Sequence, residues 1–67
     1  MLDKKIVDTL RGLGHTVLEQ TEEERAEEKV RVVMGEMTVT FSECALRTAH
    51  KLGVLMEYIT QVRSTVQ

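Results

Sequence analysis

Residues 30–41, Val-Arg-Val-Val-Met-Gly-Glu-Met-Thr-Val-Thr-Phe, constrain the fold more than any other stretch of the chain. Gly35-Glu36 reads as a two-residue hairpin turn with glycine at the first central position, as a type II′ turn requires. That turn sets a register in which Met34 faces Met37, Val32 faces Val39 and Val30 faces Phe41. All six apolar side chains then share one face, while Arg31 opposite Thr40 and Val33 opposite Thr38 take the other. Side chains alternate along a strand with period two, so a slip of one residue would move the whole apolar set to the wrong face. The segment is a hairpin with one buried face, and two strands alone do not hold together in water.

The flanking sequence supplies the cover. Leu2, Ile6, Val7, Leu10 and Leu13 recur at three- and four-residue spacings and predict a helix over residues 3–13. Asp3 is placed to cap it, Leu2 and Val7 to staple its first turn, and Gly14 to end it. The β-branched pair Thr16 and Val17 predicts a strand over 15–20. In 21–29, Thr21 and Glu24 have capping-box spacing, which fits a short solvated helix as well as a polar loop. From 42 to 65 the pattern is helical, capped either by Ser42 or by a Thr40–Glu43 box. Ala45, Ala49, Leu52, Met56 and Ile59 line one stripe, and Cys44, Leu55, Val62 and Val66 widen it; Val54 and Tyr58 fall near the opposite side. The expected fold is α+β: an N-terminal helix, a three-stranded antiparallel sheet, and a long C-terminal helix packed on one sheet face.

A single helix of ~22 residues is ~33 Å long at 1.5 Å per residue. Strands of five or six residues reach only ~17–20 Å. The last two turns are therefore expected to overhang the sheet, carrying Ile59, Val62 and Val66 with them, and apolar side chains beyond their own core imply a second surface. Chain length leads the same way. Sixty-seven residues make one domain, 1–67, whose small core gives marginal stability. One cysteine excludes an intrachain disulfide, and Cys44, His15 and His50 show no paired metal-ligand spacing. Association is what remains. The residues expected to carry it are Leu55, Met56, Ile59, Val62 and Val66, with a homodimer the simplest form.

Charge and composition bear on other function classes. A net charge of −2 lacks the basic excess of a general nucleic-acid binder. The N-terminus has an amphipathic pattern instead of a signal-peptide core, and no run approaches the ~20 apolar residues of a membrane span. With a lone cysteine, this fits a cytoplasmic protein without a membrane partner. Gly12-Leu13-Gly14 suits a helix end better than a phosphate loop, so no cofactor, metal or small-molecule substrate is expected. Cys44 and His50 lie six positions apart and do not share a helix face, so an inert, buried thiol is expected in place of a nucleophile. His15 and His50 read as surface or turn residues, and Met34, Met37 and Met56 as packing residues.

Two resemblances deserve weighing against this reading. Arg47-Thr-Ala-His-Lys-Leu-Gly-Val54, followed by Ile59 and Val62, resembles the helix-turn-helix of Cro-type phage repressors over 45–63. The match rests on the small Ala49, the turn Gly53, and core positions Thr48, Leu52, Val54, Ile59 and Val62. It implies a DNA-binding regulator with Leu55, Met56, Glu57, Thr60 and Gln61 near the groove-facing side of a recognition helix. Leu55 and Met56 do not read base edges, Glu57 repels phosphates, and no helix directly precedes the motif. The order helix, three strands, helix is also similar to double-stranded-RNA-binding domains. Those need lysines at the start of the second helix, where this chain has Ser42-Glu43-Cys44-Ala45.

Residues 19–29 hold six carboxylates against Arg25 and Lys29, a charge of −4, while the rest of the chain sums to +2. Glu22, Glu23, Glu24, Glu27 and Glu28 could face a basic partner as a nucleic-acid decoy, although such runs commonly serve solubility. The function expected is a small non-enzymatic protein-binding or regulatory protein. Its composition would suit an inhibitor or adaptor of phage or mobile-element type.

Overall fold

The computed structural model describes the chain from residue 2 to residue 66, with side chains as far as residue 65. Helix α1 runs Lys4–Gly12, and the Asp3 carboxylate accepts a hydrogen bond from the Lys5 backbone N–H at 2.9 Å. Strand β1 is Thr16–Val17, α2 is Glu22–Glu27, β2 is Lys29–Met34 and β3 is Met37–Ser42. Two helices follow, α3 over Glu43–Lys51 and α4 over Leu55–Val66. The α+β class and the order helix, antiparallel three-stranded sheet, helical C-terminus are those the sequence predicts.

The hairpin register is also the predicted one: Met34 pairs with Met37, Val32 with Val39 and Val30 with Phe41. Gly35 takes a φ of +65° while Glu36 stays on the negative side, so only the first turn position requires glycine. Val30, Val32, Met34, Val39 and Phe41 are buried on the covered face; Met37, beside the turn, is half-buried. β1 pairs only through Thr16–Val33 and Val17–Val32, shorter than the predicted 15–20. Just beyond it the Leu18 N–H donates to the Arg31 carbonyl at 3.0 Å, and Gln20 then bonds β2 by its side chain, Nε2 donating to the Lys29 carbonyl at 2.7 Å.

Between β1 and β2, the helix alternative holds. Thr21 Oγ1 accepts from the Glu24 N–H, and Glu24 Oε1 accepts from the Thr21 N–H, so both halves of the capping box form. Glu24 Oε2 also meets Arg31 Nε at 2.7 Å, pinning α2 to β2.

One expectation fails at the C-terminus. The long helix over 42–65 is two helices, broken at Leu52-Gly53-Val54. Gly53 has a φ of +74°; its N–H donates to the His50 carbonyl at 3.1 Å, and the Val54 N–H donates to the Ala49 carbonyl at 2.9 Å. This is a Schellman ending, in which a left-handed residue lets two N–H groups satisfy the last helical carbonyls. The same pair of bonds closes α1, from Gly14 to Arg11 and from His15 to Leu10. The Val54 carbonyl then accepts from Tyr58, starting α4 on a new axis. The overhang disappears with the long helix: a ~33 Å rod would exceed the longest extent of the molecule, 28 Å.

α1 packs beside α3, α3 lies on β3, and α4 packs against α3. Ile6 and Leu10 of α1, Leu46 and Ala49 of α3, and Leu55 and Ile59 of α4 complete the core on the sheet's apolar face. Within α3 itself Leu46 and Ala49 face inward, whereas the predicted stripe residue Leu52, at the C-cap, is exposed; after the break Leu55 and Ile59 return to the core.

Candidate functional site

The predicted association residues divide. Leu55 and Ile59 are core residues, 4% and 2% exposed, and Val62 is half-buried against the same cluster. They cover the chain's own sheet and offer no overhanging surface. Met56 is exposed, and the side chain of Val66 lies outside the described residues.

In their place the structure exposes Leu52 at 70%, Met56 at 58% and Val54 at 42%. These are the large apolar side chains exposed among the described residues, and they fall within five consecutive positions at the α3–α4 turn. Leu52 and Val54 border a groove of about 470 Å³ between the two helices. Ala45, Thr48 and Ala49 of α3 line one side and Glu57, Tyr58 and Gln61 of α4 the other. Its small α3 residues leave the space, and Tyr58 fixes the opposite wall: its ring meets Phe41 edge-on, with centroids 5.9 Å apart. Met56 does not line the groove. The repressor-like alignment assigns Thr48, Leu52 and Val54 to a core, yet all three are exposed, while Ala49 and Ile59 are buried. Sequence periodicity carries straight through Gly53 and hides this surface. The signal that could have found it is the Leu-Gly pair at 13–14, repeated at 52–53.

The acidic cluster is less uniform than its sequence. Glu22, Glu23, Glu27 and Glu28 are exposed, but Glu24 is committed to the fold. The Thr21 backbone N–H, and after it the Arg31 guanidinium, outweigh desolvation and hold the Glu24 carboxyl below its ordinary pKa. Glu27 meets Lys29 at 3.1 Å, with both side chains half in water.

A buried carboxylate that sequence reasoning missed sits nearby. Glu43, 1% exposed at the start of α3, accepts from Gln20 Nε2 at 2.7 Å and from Arg47 Nη1 at 3.3 Å. The Gln20 hydrogen bond foremost, with the Arg47 charge adding to it, outweighs burial and lowers its pKa. Its backbone N–H donates to the Glu28 carbonyl at 2.8 Å, so this residue joins the end of α2 to the start of α3. Its contacts tie elements together and leave it no opening for chemistry.

Cys44 is exposed, against the expectation of burial, because the phase of α3 turns Leu46 inward instead. Among the described residues no group of three His, Cys, Asp or Glu side chains could hold a metal ion. A second cleft, of about 510 Å³, lies between α1, β1 and α2. Leu2, Val7 and Val17 give it apolar walls, and Arg11, Arg25 and Glu19 mix charges at its edge. No helix is long and apolar enough to cross a membrane among the described residues.

No protein-family model matches the chain, and no curated protein or solved structure matches it significantly.

Proposed function

We propose that the chain is a small non-enzymatic regulatory protein that acts by docking its α3–α4 turn onto another protein chain. The observation that carries this reading is the confinement, among the described residues, of exposed large apolar side chains to Leu52, Val54 and Met56. Single exposed apolar residues are ordinary, but a cluster beside an apolar groove between two helices is where partner side chains insert. The test compares affinity capture by the native chain and by Leu52→Glu with Val54→Glu. Loss of captured protein with an unchanged thermal transition is the expected result, and undiminished capture would refute the reading.

DNA binding is the second reading, supported by the Gly53 break that gives α3 and α4 a helix–turn–helix arrangement. Against it, Arg63 is the only cation on α4 among the described residues, and Glu57 stands in the first turn. Fluorescence anisotropy on pooled duplex DNA decides between them. Binding that weakens steeply with salt would establish this reading. The decoy reading of Glu22, Glu23, Glu27 and Glu28 has less behind it, since Lys29 already offsets Glu27.

A further inference from the structure

We propose that the cleft between α1, β1 and α2 binds a small amphipathic carboxylate, an apolar chain that ends in a single negative charge. The cleft shares no lining residue with the α3–α4 groove, so the proposal stands apart from the docking reading. Leu2, Val7, Val17 and Leu18 are half-buried around it, and Val30, 1% exposed, closes its floor. Its volume of about 510 Å³ is that of a small-molecule site. α2 forms one side without giving any buried residue to the core. The Thr21–Glu24 capping box and the Glu24–Arg31 ion pair at 2.7 Å hold it in place. What α2 adds to the cleft is Arg25, which lines it together with Arg11 of α1.

Both arginines are left uncommitted by the fold. Each has a carboxylate three residues before it on its own helix, Asp8 for Arg11 and Glu22 for Arg25, a spacing at which ion pairs form. Neither pair is made. Among the described residues the ion pairs are Lys29–Glu27, Arg31–Glu24 and Arg47–Glu43, and neither guanidinium donates a hydrogen bond. Two unpaired guanidiniums over an apolar floor call for an anionic head and an apolar tail: the fork of an arginine matches a carboxylate, and the tail leaves water. Glu19 sets the number of charges. Its side chain lines the same cleft and makes no ion pair among the described residues. A single negative charge then balances the two arginines and Glu19, whereas a dianion would leave the cleft negative in a chain whose net charge is already −2.

The experiment titrates the folded chain with decanoate in the low millimolar range, below the onset of micelles, and follows backbone amide shifts by nuclear magnetic resonance. Decanoate should saturate with shifts centred on Val17, Leu18 and Arg25. Decanol, with the same tail and no charge, and acetate, with the head and no tail, should each bind far more weakly. Arg11→Gln and Arg25→Gln should each weaken decanoate about fivefold, the upper range for an ion pair open to water, with unchanged thermal transitions. Glu19→Gln should tighten it about twofold, an effect of opposite sign that a general loosening of the fold would not produce. Absence of saturable shifts overturns the proposal, and so do shifts centred on Ala49 and Tyr58, which would put the tail in the α3–α4 groove. Decanol binding as tightly as decanoate, or arginine variants that bind like the native chain, overturn the role of the two guanidiniums. A Glu19→Gln chain that binds decanoate more weakly overturns the charge balance that selects a monoanion.

Discussion

Glu43 stands where several constraints meet on one side chain. It is the first residue of α3, where the partial positive charge of the helix N-terminus favours an anion. Gln20 spends its amide on both the Glu43 carboxylate and the Lys29 carbonyl, so the carboxylate also orients the chain between β1 and α2. Arg47, one turn on, supplies charge from the solvent side. A carboxylate this buried survives only because its lone pairs are occupied. Its pKa is lower in the folded chain than in the unfolded one, so its contribution to stability is whole above the ordinary glutamate pKa of 4.5 and is lost as pH falls through the lowered value. Glu43→Gln should therefore flatten the acid limb of a stability–pH curve, leaving the share due to Glu24, whose pKa is lowered too. Glu43→Ala leaves Gln20 and Arg47 facing a void and should cost about 3 kcal/mol at neutral pH. Urea midpoints from pH 3 to 7 measure both; a Glu43→Gln curve parallel to that of the native chain would refute the linkage.

At the scale of elements, the hairpin was legible, whereas the C-terminal break stood only as the alternative to one long helix, for physical reasons. In 30–41 turn chemistry and period-two alternation specify the same register, and any slip exposes Val30, Val32 and Phe41 together. In 42–65 the apolar spacing of Ala45, Ala49, Leu52, Met56 and Ile59 fits an unbroken helix, so periodicity argued against the break. What spoke for it was the helix-turn-helix resemblance over 45–63 with Gly53 as its turn, and a glycine within a helix costs just ~1 kcal/mol, too little to decide between the two readings from sequence. The site suffered the same loss, since Leu52 and Val54 surface only once Gly53 redirects the chain. The capping box at Thr21 and Glu24 was visible, but nothing local distinguished a helix from a loop before Arg31 fastened Glu24. Gly53→Ala tests the break itself. A Cβ there meets nothing within 4 Å, so its cost is backbone conformation alone. It should destabilise by about 1–2 kcal/mol. Gly12→Ala, inside α1 with equally open surroundings, should be neutral or stabilise by up to ~1 kcal/mol. Thermal unfolding of the two variants side by side provides the check, and equal effects would mean that the left-handed cap does not hold the turn.

For the whole molecule, what matters is which apolar side chains the fold keeps for itself. Sequence places Leu52 and Ile59 on one stripe seven residues apart, equivalent by helical spacing. In the folded chain they are opposites: Ile59 is 2% exposed inside the shared core of sheet and helices, and Leu52 is 70% exposed at the groove. α4, about 18 Å long at 1.5 Å per residue, packs against α3 and sends Leu55 and Ile59 into the core. Ile59 is thus a cover for Phe41 and its neighbours, and a charge placed there has no water and no counter-ion. Ile59→Asp should abolish cooperative unfolding, because the cost of an unpaired buried charge rivals the whole stability of a small domain. Leu52→Glu exchanges one solvated side chain for another and should shift intrinsic stability by no more than ~0.5 kcal/mol. Denaturant melts followed by circular dichroism, at concentrations too low for association, read both. A cooperative transition in Ile59→Asp, or its loss in Leu52→Glu, would mean that the chain divides its apolar residues between core and surface in some other way, and the groove would lose its claim to a partner.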